Sequence, residues 1–368
     1  MQSATHKKHT TFSCPSCGGR PVWDPESQGL LCPFCGAKTT VELTPIQPAE
    51  YDIHAAPTPA QQDWGAEKRA VRCKACGAET VLDEHDTANL CPFCGSPHVL
   101  DDQSSAGIAP ESVLPFRVSK KAAAESFGKW LKGKLFAPSA AKKAAKLESV
   151  SGVYLPHWTY DDDANASYIG EAGHHYYVQV PVVVERDGKR TTEMRREQRT
   201  RWEPTSGYVE NYFDDVTIPA SQRLPGDLLE RVQPYNLDML CDYKAEFLSG
   251  FIAEKPAVNV LEGWDTARTR IESELRSMAH NDILSHADEA RVHSLDARHN
   301  RVRYKLTLLP MYLSSFTYKQ KQYHVLVNGQ TGRCGGQAPV SALRVLIAVL
   351  LGIAVIAGVY FWLESGSF

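Results

Sequence analysis

Eight of the chain's ten cysteines fall into two copies of one spacing, and that spacing dictates what the N-terminal third can become. Cys14-Pro-Ser-Cys17 is followed after fourteen residues by Cys32-Pro-Phe-Cys35, and Cys73-Lys-Ala-Cys76 after fourteen by Cys91-Pro-Phe-Cys94. Each cysteine of the second copy lies 59 positions after its counterpart, and eleven of the 23 positions aligned between 14–36 and 73–95 are identical. Such self-similarity marks a duplicated structural unit.

Cysteines two residues apart place both sulfurs on one metal from a single tight turn, and two such turns supply four thiolates for tetrahedral zinc. Gly18, Gly36, Gly77 and Gly95 each follow the second cysteine of a pair, where positive φ closes the turn. Disulfides are the competing use of paired cysteines; the pattern and its glycines favour metal. Four cysteines hold iron as well as zinc, and zinc is the expectation. Four-thiolate sites leave no open position for water, so two structural zinc ions are expected rather than catalytic ones. The loops between pairs cannot bury a core, which makes metal binding and folding one event.

At the other end, residues 345–363 read VLIAVLLGIAVIAGVYFWL, nineteen residues without a charge. As a helix they reach about 28 Å, the thickness of a bilayer's hydrocarbon core, with Tyr360, Phe361 and Trp362 as an interfacial anchor. The N-terminal MQSATHKKHTTF has no apolar run and gives no signal peptide. The expectation is a single-pass tail anchor in the cell (inner) membrane. Arg333 and Arg344 precede the span and no Lys or Arg follows it, which places the N-terminal bulk in the cytoplasm. Reduced metal thiolates belong in that compartment too.

Net charge is −3, and residues 1–100 carry eight Lys and Arg against eleven Asp and Glu. Each four-thiolate zinc site adds about −2, bringing this segment to about −7. Nucleic-acid binding draws its affinity from cations on phosphates, and this region lacks them.

Composition divides the chain into ribbon 1 (10–40), a proline-containing linker (41–70), ribbon 2 (71–100), a second linker (101–112), an α+β domain (113–340) and the transmembrane helix (345–363). The class is α+β with much antiparallel sheet. Ser119 is a plausible N-cap for a helix to Phe136 with Ala123, Phe127, Trp130 and Leu131 on one face, and Ser139 starts a second helix ending near Glu148. From Val153 to about Phe213 the pattern is β, with Asp187-Gly188 as a hairpin turn. Asp265 opens another helix, carrying Ile271, Leu275 and Met278. Strands return at Val302–Thr307, Leu313–Tyr318 and Tyr323–Val327, the last two joined by a lysine-containing turn, before tight turns at Asn328-Gly329 and Thr331-Gly332. Tyr154-Leu-Pro-His-Trp158 and Leu309-Pro-Met-Tyr312 echo each other and are expected as equivalent hairpins at the two ends of the domain.

KACGAETVLDEHDTANLCPFCGS, LPFRVSKKAA, GVYLPHWTYD and LLPMYLSSFTYKQKQYHVLVNGQTG, in that order, resemble bacterial zinc-ribbon proteins of the transcription-factor-IIB type with a C-terminal membrane segment. The resemblance covers most of the chain from about residue 51. Such proteins are often labelled as related to primosomal protein N prime, the replication factor Y helicase. The resemblance implies a membrane-attached, zinc-binding protein. The helicase label transfers badly: no G-x-x-x-x-G-K-[ST] phosphate loop is present, so no ATP motor is expected.

His157, His174 and His175 lie near Asp161, Asp162 and Asp163, but they lack a tight ligand motif, and the aspartates read as a solvated turn. Cys241 and Cys334 read as small buried apolar groups. Arg186 to Trp202 holds Arg186, Lys189, Arg190, Arg195, Arg196, Arg199 and Arg201 among Asp187, Glu193 and Glu197. On a strand this is a solvated face with cross-strand ion pairs; a phosphate surface for lipid or nucleic acid is the alternative. No catalytic residue is assigned. The sequence favours a non-enzymatic, zinc-binding, tail-anchored adaptor that recruits a protein partner to the cytoplasmic face of the membrane. A nucleic-acid-binding protein linked to replication or transcription is the alternative, disfavoured by the acidic ribbons.

Overall fold

Val, Tyr and Thr alternating with polar residues through the middle of the chain build one very long antiparallel hairpin, Ser151–Arg186 against Lys189–Pro219. A 36-residue strand spans on the order of 110 Å, several times the usual strand length. The computed structural model describes residues 13–41, 49–55, 64, 68–73, 76–83, 91–93, 100–102, 108–144, 150–186 and 189–365. They hold five α-helices: α1 (Lys120–Gly133), α2 (Ser139–Ala144), α3 (Gly226–Glu230), α4 (Val260–Leu284) and α5 (Ala342–Ser365). The mixed α+β class is as expected.

The hairpin's root is the centre of a 13-stranded sheet. Arg303–Tyr318 lies antiparallel beside it, Arg303 opposite Asp161 and Leu313 opposite Ser151. Both echoing segments do lead into hairpins, but the two hairpins lie side by side rather than at the two ends of the domain. The prolines of the echoing segments stay within their strands and the segments pair, Pro310 facing Tyr154 and Leu308 facing Pro156. Pro310, which has no N–H to give the ladder, stays within its strand, and its carbonyl accepts from the Gly329 amide and the Tyr235 hydroxyl. The turn into Lys321–Asn328 is Lys319-Gln320, both at positive φ, as a two-residue primed hairpin turn requires. The Asp187-Gly188 turn lies outside the described residues.

Helix boundaries follow their caps. Ser119 accepts from the Ala122 amide and starts α1, which buries Ala123, Phe127 and Leu131 but ends at Gly133, before Phe136. α4 opens at Val260 rather than Asp265, because Asn259 accepts from the Leu261 and Glu262 amides in a capping box. Its buried Gly263, Ala267, Ile271, Leu275, Ala279 and Ile283 recur every fourth residue. Much of this stripe packs on Ala164, Ala166, Tyr168 and Ala172 of the hairpin. Gly263 is needed there, since a Cβ would strike the Tyr160 hydroxyl.

The described parts of the two presumed linkers are packed into the body. Within 41–70, Tyr51–Asp52 pairs with Arg303–Tyr304, Ile53 and Trp64 are buried, and Lys68–Cys73 is already a strand of the large sheet. Within 101–112, Ser112 reaches both Asp242 and Thr307 through strand pairing. Ribbon 1 is a separate three-stranded sheet, Val22–Asp24, Gly29–Leu31 and Lys38–Thr40. It is pinned to the body by Trp23, whose Nε1 donates to the Phe116 carbonyl at 3.1 Å and whose ring meets Phe247 edge-on at 5.0 Å. Beneath it, Phe116 stacks on Phe251 at 4.1 Å and touches Tyr154 and Tyr312, forming the aromatic centre of the core.

At the C-terminus the expected 345–363 span lies within α5, whose candidate span Ala342–Tyr360 is apolar throughout save Arg344 and has no buried residue. Among the described residues one helix is long and apolar enough to cross a membrane.

Candidate metal centres

The three cysteine pairs whose ligands are all described close by the same two backbone bonds. In ribbon 1 the Gly18 amide donates to the Cys14 carbonyl at 2.8 Å and the Cys14 amide to Gly19 at 2.7 Å; Cys32, Gly36 and Ala37 repeat this at 2.9 Å for both bonds. In ribbon 2, Cys73, Gly77 and Ala78 do the same at 2.7 and 2.9 Å. Gly18, Gly36 and Gly77 have φ of 71°, 75° and 70°, the left-handed backbone that their positions in the sequence demand. These turns aim the sulfurs inward. Cys14 Sγ is 3.5 Å from Cys35 Sγ, Cys17 Sγ 3.5 Å from Cys32 Sγ, and Cys76 Sγ 3.7 Å from Cys91 Sγ. Four thiolates on a tetrahedral metal at about 2.3 Å stand about 3.8 Å apart, whereas a disulfide needs about 2.05 Å. The spacing is that of a metal cage, and no described cysteine is in a disulfide.

The charges call for a cation too. Backbone amides led by Ser16 pull the Cys14 thiol down to about 6. Cys17, against the pull of the Gly19 amide, is pushed up to about 12 by its neighbours Cys35 and Cys32. One thiolate forms readily and the next is opposed by it, so the full set of anions needs a dication among them. Cys14, Cys17, Cys32 and Cys35 thus come together as one set able to hold a metal ion, and Cys73, Cys76 and Cys91 as a second; Cys94 lies outside the described residues.

The two copies differ in burial. Phe93 of the second Cys-Pro-Phe-Cys is 4% exposed and packs with Cys73, Ala78, Val153, Leu155 and Leu228 in the body core. Its counterpart Phe34 is 78% exposed. Arg223 holds the Cys73–Cys76 knuckle of ribbon 2 from outside, donating to the Cys76 carbonyl at 2.5 Å and to the Gly77 carbonyl at 2.7 Å. Ribbon 2 continues into the sheet through Glu79–Asp83, which pairs with Ile252–Glu254.

The structure does not bring His157 and His175 to the aspartates as one cluster. His157 is buried, bonds the Leu155 carbonyl, and burial holds it down to about 4, a neutral core histidine. His175 pairs with Glu289 at 2.7 Å out on the hairpin. The aspartate run, expected as a solvated turn, is instead strand, with Asp161 and Asp162 buried. Their partners come from far along the chain, which is why the sequence conceals them. Asp162 meets His299 Nδ1 at 2.5 Å and Asp163 meets Arg301 at 3.2 Å. Asp161 accepts from the Asp215 amide at 2.8 Å, and burial lifts its carboxyl to about 7. Asp161, Asp214 and Asp215 converge closely enough to hold a cation, but the Lys305 ammonium already reaches Asp215 at 2.7 Å and Glu50 at 3.2 Å. Lys305 thus offsets part of the acidic charge gathered here. Cys241 and Cys334 are thiols raised by burial, Cys334 to about 12.

The basic stretch is an exposed, partly neutralised face. Arg199 pairs with Glu197 at 3.1 Å and Arg201 with Glu203 at 3.0 Å, along the strand rather than across it, and Arg196 lies over the Tyr177 ring at 3.7 Å.

No family model matches the chain, and no solved structure matches it. It is 27% identical over 338 residues to the uncharacterized protein YdjG of Bacillus subtilis (strain 168), covering 91% of this chain and 92% of that one.

Proposed function

We propose that this is a non-enzymatic, zinc-binding, membrane-anchored adaptor that holds a protein partner at the cytoplasmic face of the cell membrane. The observation that carries this reading is the outer part of the long hairpin. The third strand Glu289–His299 covers only 164–173. Beyond it, 176–186 and 189–199 run as a bare two-stranded arm on the order of 35 Å long, strand-paired with each other alone among the described residues. Tyr176, Tyr177, Val183 and Met194 are exposed along it. A two-stranded ribbon is marginal in water by itself, and its open edges are templates for another chain. Ribbon 1 offers a second contact through Phe34. Zinc fits the cages because it takes four thiolates tetrahedrally and has no redox chemistry to bring to a structural site. α5 supplies the anchor, and Arg333 and Arg344 on its N-terminal side orient the body to the cytoplasm.

Affinity purification of the full chain from detergent-solubilised membranes, with and without nuclease, tests the proposal against nucleic-acid binding. The adaptor requires a stoichiometric protein that survives nuclease and is lost when Tyr177→Ser and Val183→Ser disable the arm. Recovery of nuclease-sensitive nucleic acid, with affinity falling steeply as salt rises, overturns it.

A further inference from the structure

Where α5 leaves the body, a cavity of about 640 Å³ opens beside its first turn. Lys134, Arg231 and Lys321 line it, together with Leu135, Phe136 and Val340, and no acidic side chain does. Its position relative to α5 is fixed by Arg344. That guanidinium donates to the Leu135 and Ala137 carbonyls at 3.0 and 2.6 Å and to Ser139 Oγ at 2.7 Å, while the Ser341 amide donates to Phe136 at 2.9 Å. The last cation before the apolar span is therefore used to lash the 134–139 loop to the helix. With α5 in a bilayer, the cavity sits at the headgroup level.

The lining has two characters. Leu135 and Val340 are 77% and 67% exposed, an apolar lip beside a helix whose surface is wholly unburied. Arg231 is paired with Asp227, but Lys134 and Lys321 form no ion pair among the described residues; each lies only over an aromatic ring, Trp130 at 4.7 Å and Tyr323 at 5.7 Å. Cations without counter-ions behind an apolar lip match a phosphate that carries acyl chains. We infer that this cavity binds the headgroup phosphate of one anionic glycerophospholipid, its acyl chains lying along α5. The inference rests on the membrane placement proposed above. A juxtamembrane cation contributes about 1 kcal/mol towards an anionic lipid, or about fivefold in affinity.

The test is native mass spectrometry of the detergent-solubilised full chain titrated with phosphatidylglycerol, phosphatidylcholine of the same acyl chains, or inorganic phosphate. One phosphatidylglycerol per chain is expected in preference to phosphatidylcholine, with affinity falling about 30-fold in Lys134→Ala/Lys321→Ala. Lys120→Ala/Lys121→Ala, at the opposite end of α1, removes the same charge and is expected to change nothing. Equal binding of the two lipids, an unaltered double variant, or displacement of the lipid by millimolar inorganic phosphate overturns the inference. Carbonate extraction of cell membranes separates the two failures: a chain washed off loses its anchor, while a chain retained without lipid preference loses only this site.

Discussion

Replacing Trp23 with alanine separates ribbon 1 from the body without touching a metal ligand. Trp23 is 2% exposed, donates to Phe116 and packs against Phe247. Truncating a buried Trp to Ala costs about 3–5 kcal/mol. What remains of the contact is the Trp23 amide to Ser249 at 3.0 Å, Ser249 Oγ to Pro21 at 2.6 Å and Gln28 to Phe116 at 2.9 Å. Those three bonds are worth about 1 kcal/mol each. The ribbon then loses more than half of its attachment, and the undocked fraction rises by about a thousandfold. On the proposed reading, in which zinc rather than the body folds the ribbon, Trp23→Ala is expected to keep two zinc ions per chain. Amide hydrogen exchange should show lost protection at residues 22–31, with the sheet between Ser151 and Leu313 unchanged. Loss of one zinc in this variant would refute the independence of the metal site. Unchanged exchange at 22–31 would refute Trp23 as the pin.

The two metal sites are expected to respond unequally to loss of ligands. Cys14→Ser/Cys17→Ser should lose one zinc and leave the body's melting temperature within a few degrees, whereas Cys73→Ser/Cys76→Ser should lower it by ten degrees or so, since ribbon 2 shares the core with Val153 and Leu155. Burial lifts the carboxyl of Glu254, 1% exposed, from 4.5 to about 7. Its native-state proton stabilises the fold below the unfolded value and that contribution is lost as pH rises through about 7, so between pH 5 and 8 the protein should lose about 2 kcal/mol more than Glu254→Gln, read by denaturant unfolding. Deleting 176–199 and closing the hairpin with Asn-Gly should leave membrane attachment and zinc content intact and abolish partner recovery; a partner still bound to that chain would remove the arm from the interface.

What the sequence disclosed was local, and what it hid was long-range. The cysteine cages were readable because each pair is closed by its own turn, with Gly18, Gly36 and Gly77 at the required φ. α5 was readable because a span is a property of composition, and Ser119 because a cap acts over three residues. The aspartates at 161–163 misled because their counter-charges, Lys305, His299 and Arg301, lie some 140 residues away. Val302–Thr307 and Leu313–Tyr318 read as two strands and are one, Arg303–Tyr318, because the segment between them is paired along its length with residues some 150 positions earlier. Asn259 was passed over as a cap because the helix after it begins with Val260-Leu261 and a glycine at 263, which weakens the local helical signal.

The duplication explains why the chain carries two ribbons. Both copies keep the residues that the metal demands, and they part company at the positions that meet the rest of the protein. Gly19 of ribbon 1 lets the Phe34 ring lie across its backbone, where any Cβ would collide; ribbon 2 has Ala78 there, buried in the body core. Trp23 of ribbon 1 reaches the core and its counterpart in ribbon 2, Leu82, sits in a strand of the large sheet. One copy has thus become a structural edge of the domain, and the other remains a docked module with its second knuckle facing outward. A metal site spent on the core needs no exposed phenylalanine, and one spent on presentation needs a firm mount beneath it. The burial of Phe93, the exposure of Phe34 and the Trp23 pin together assign the two roles, and the adaptor reading requires the outward-facing role to belong to ribbon 1.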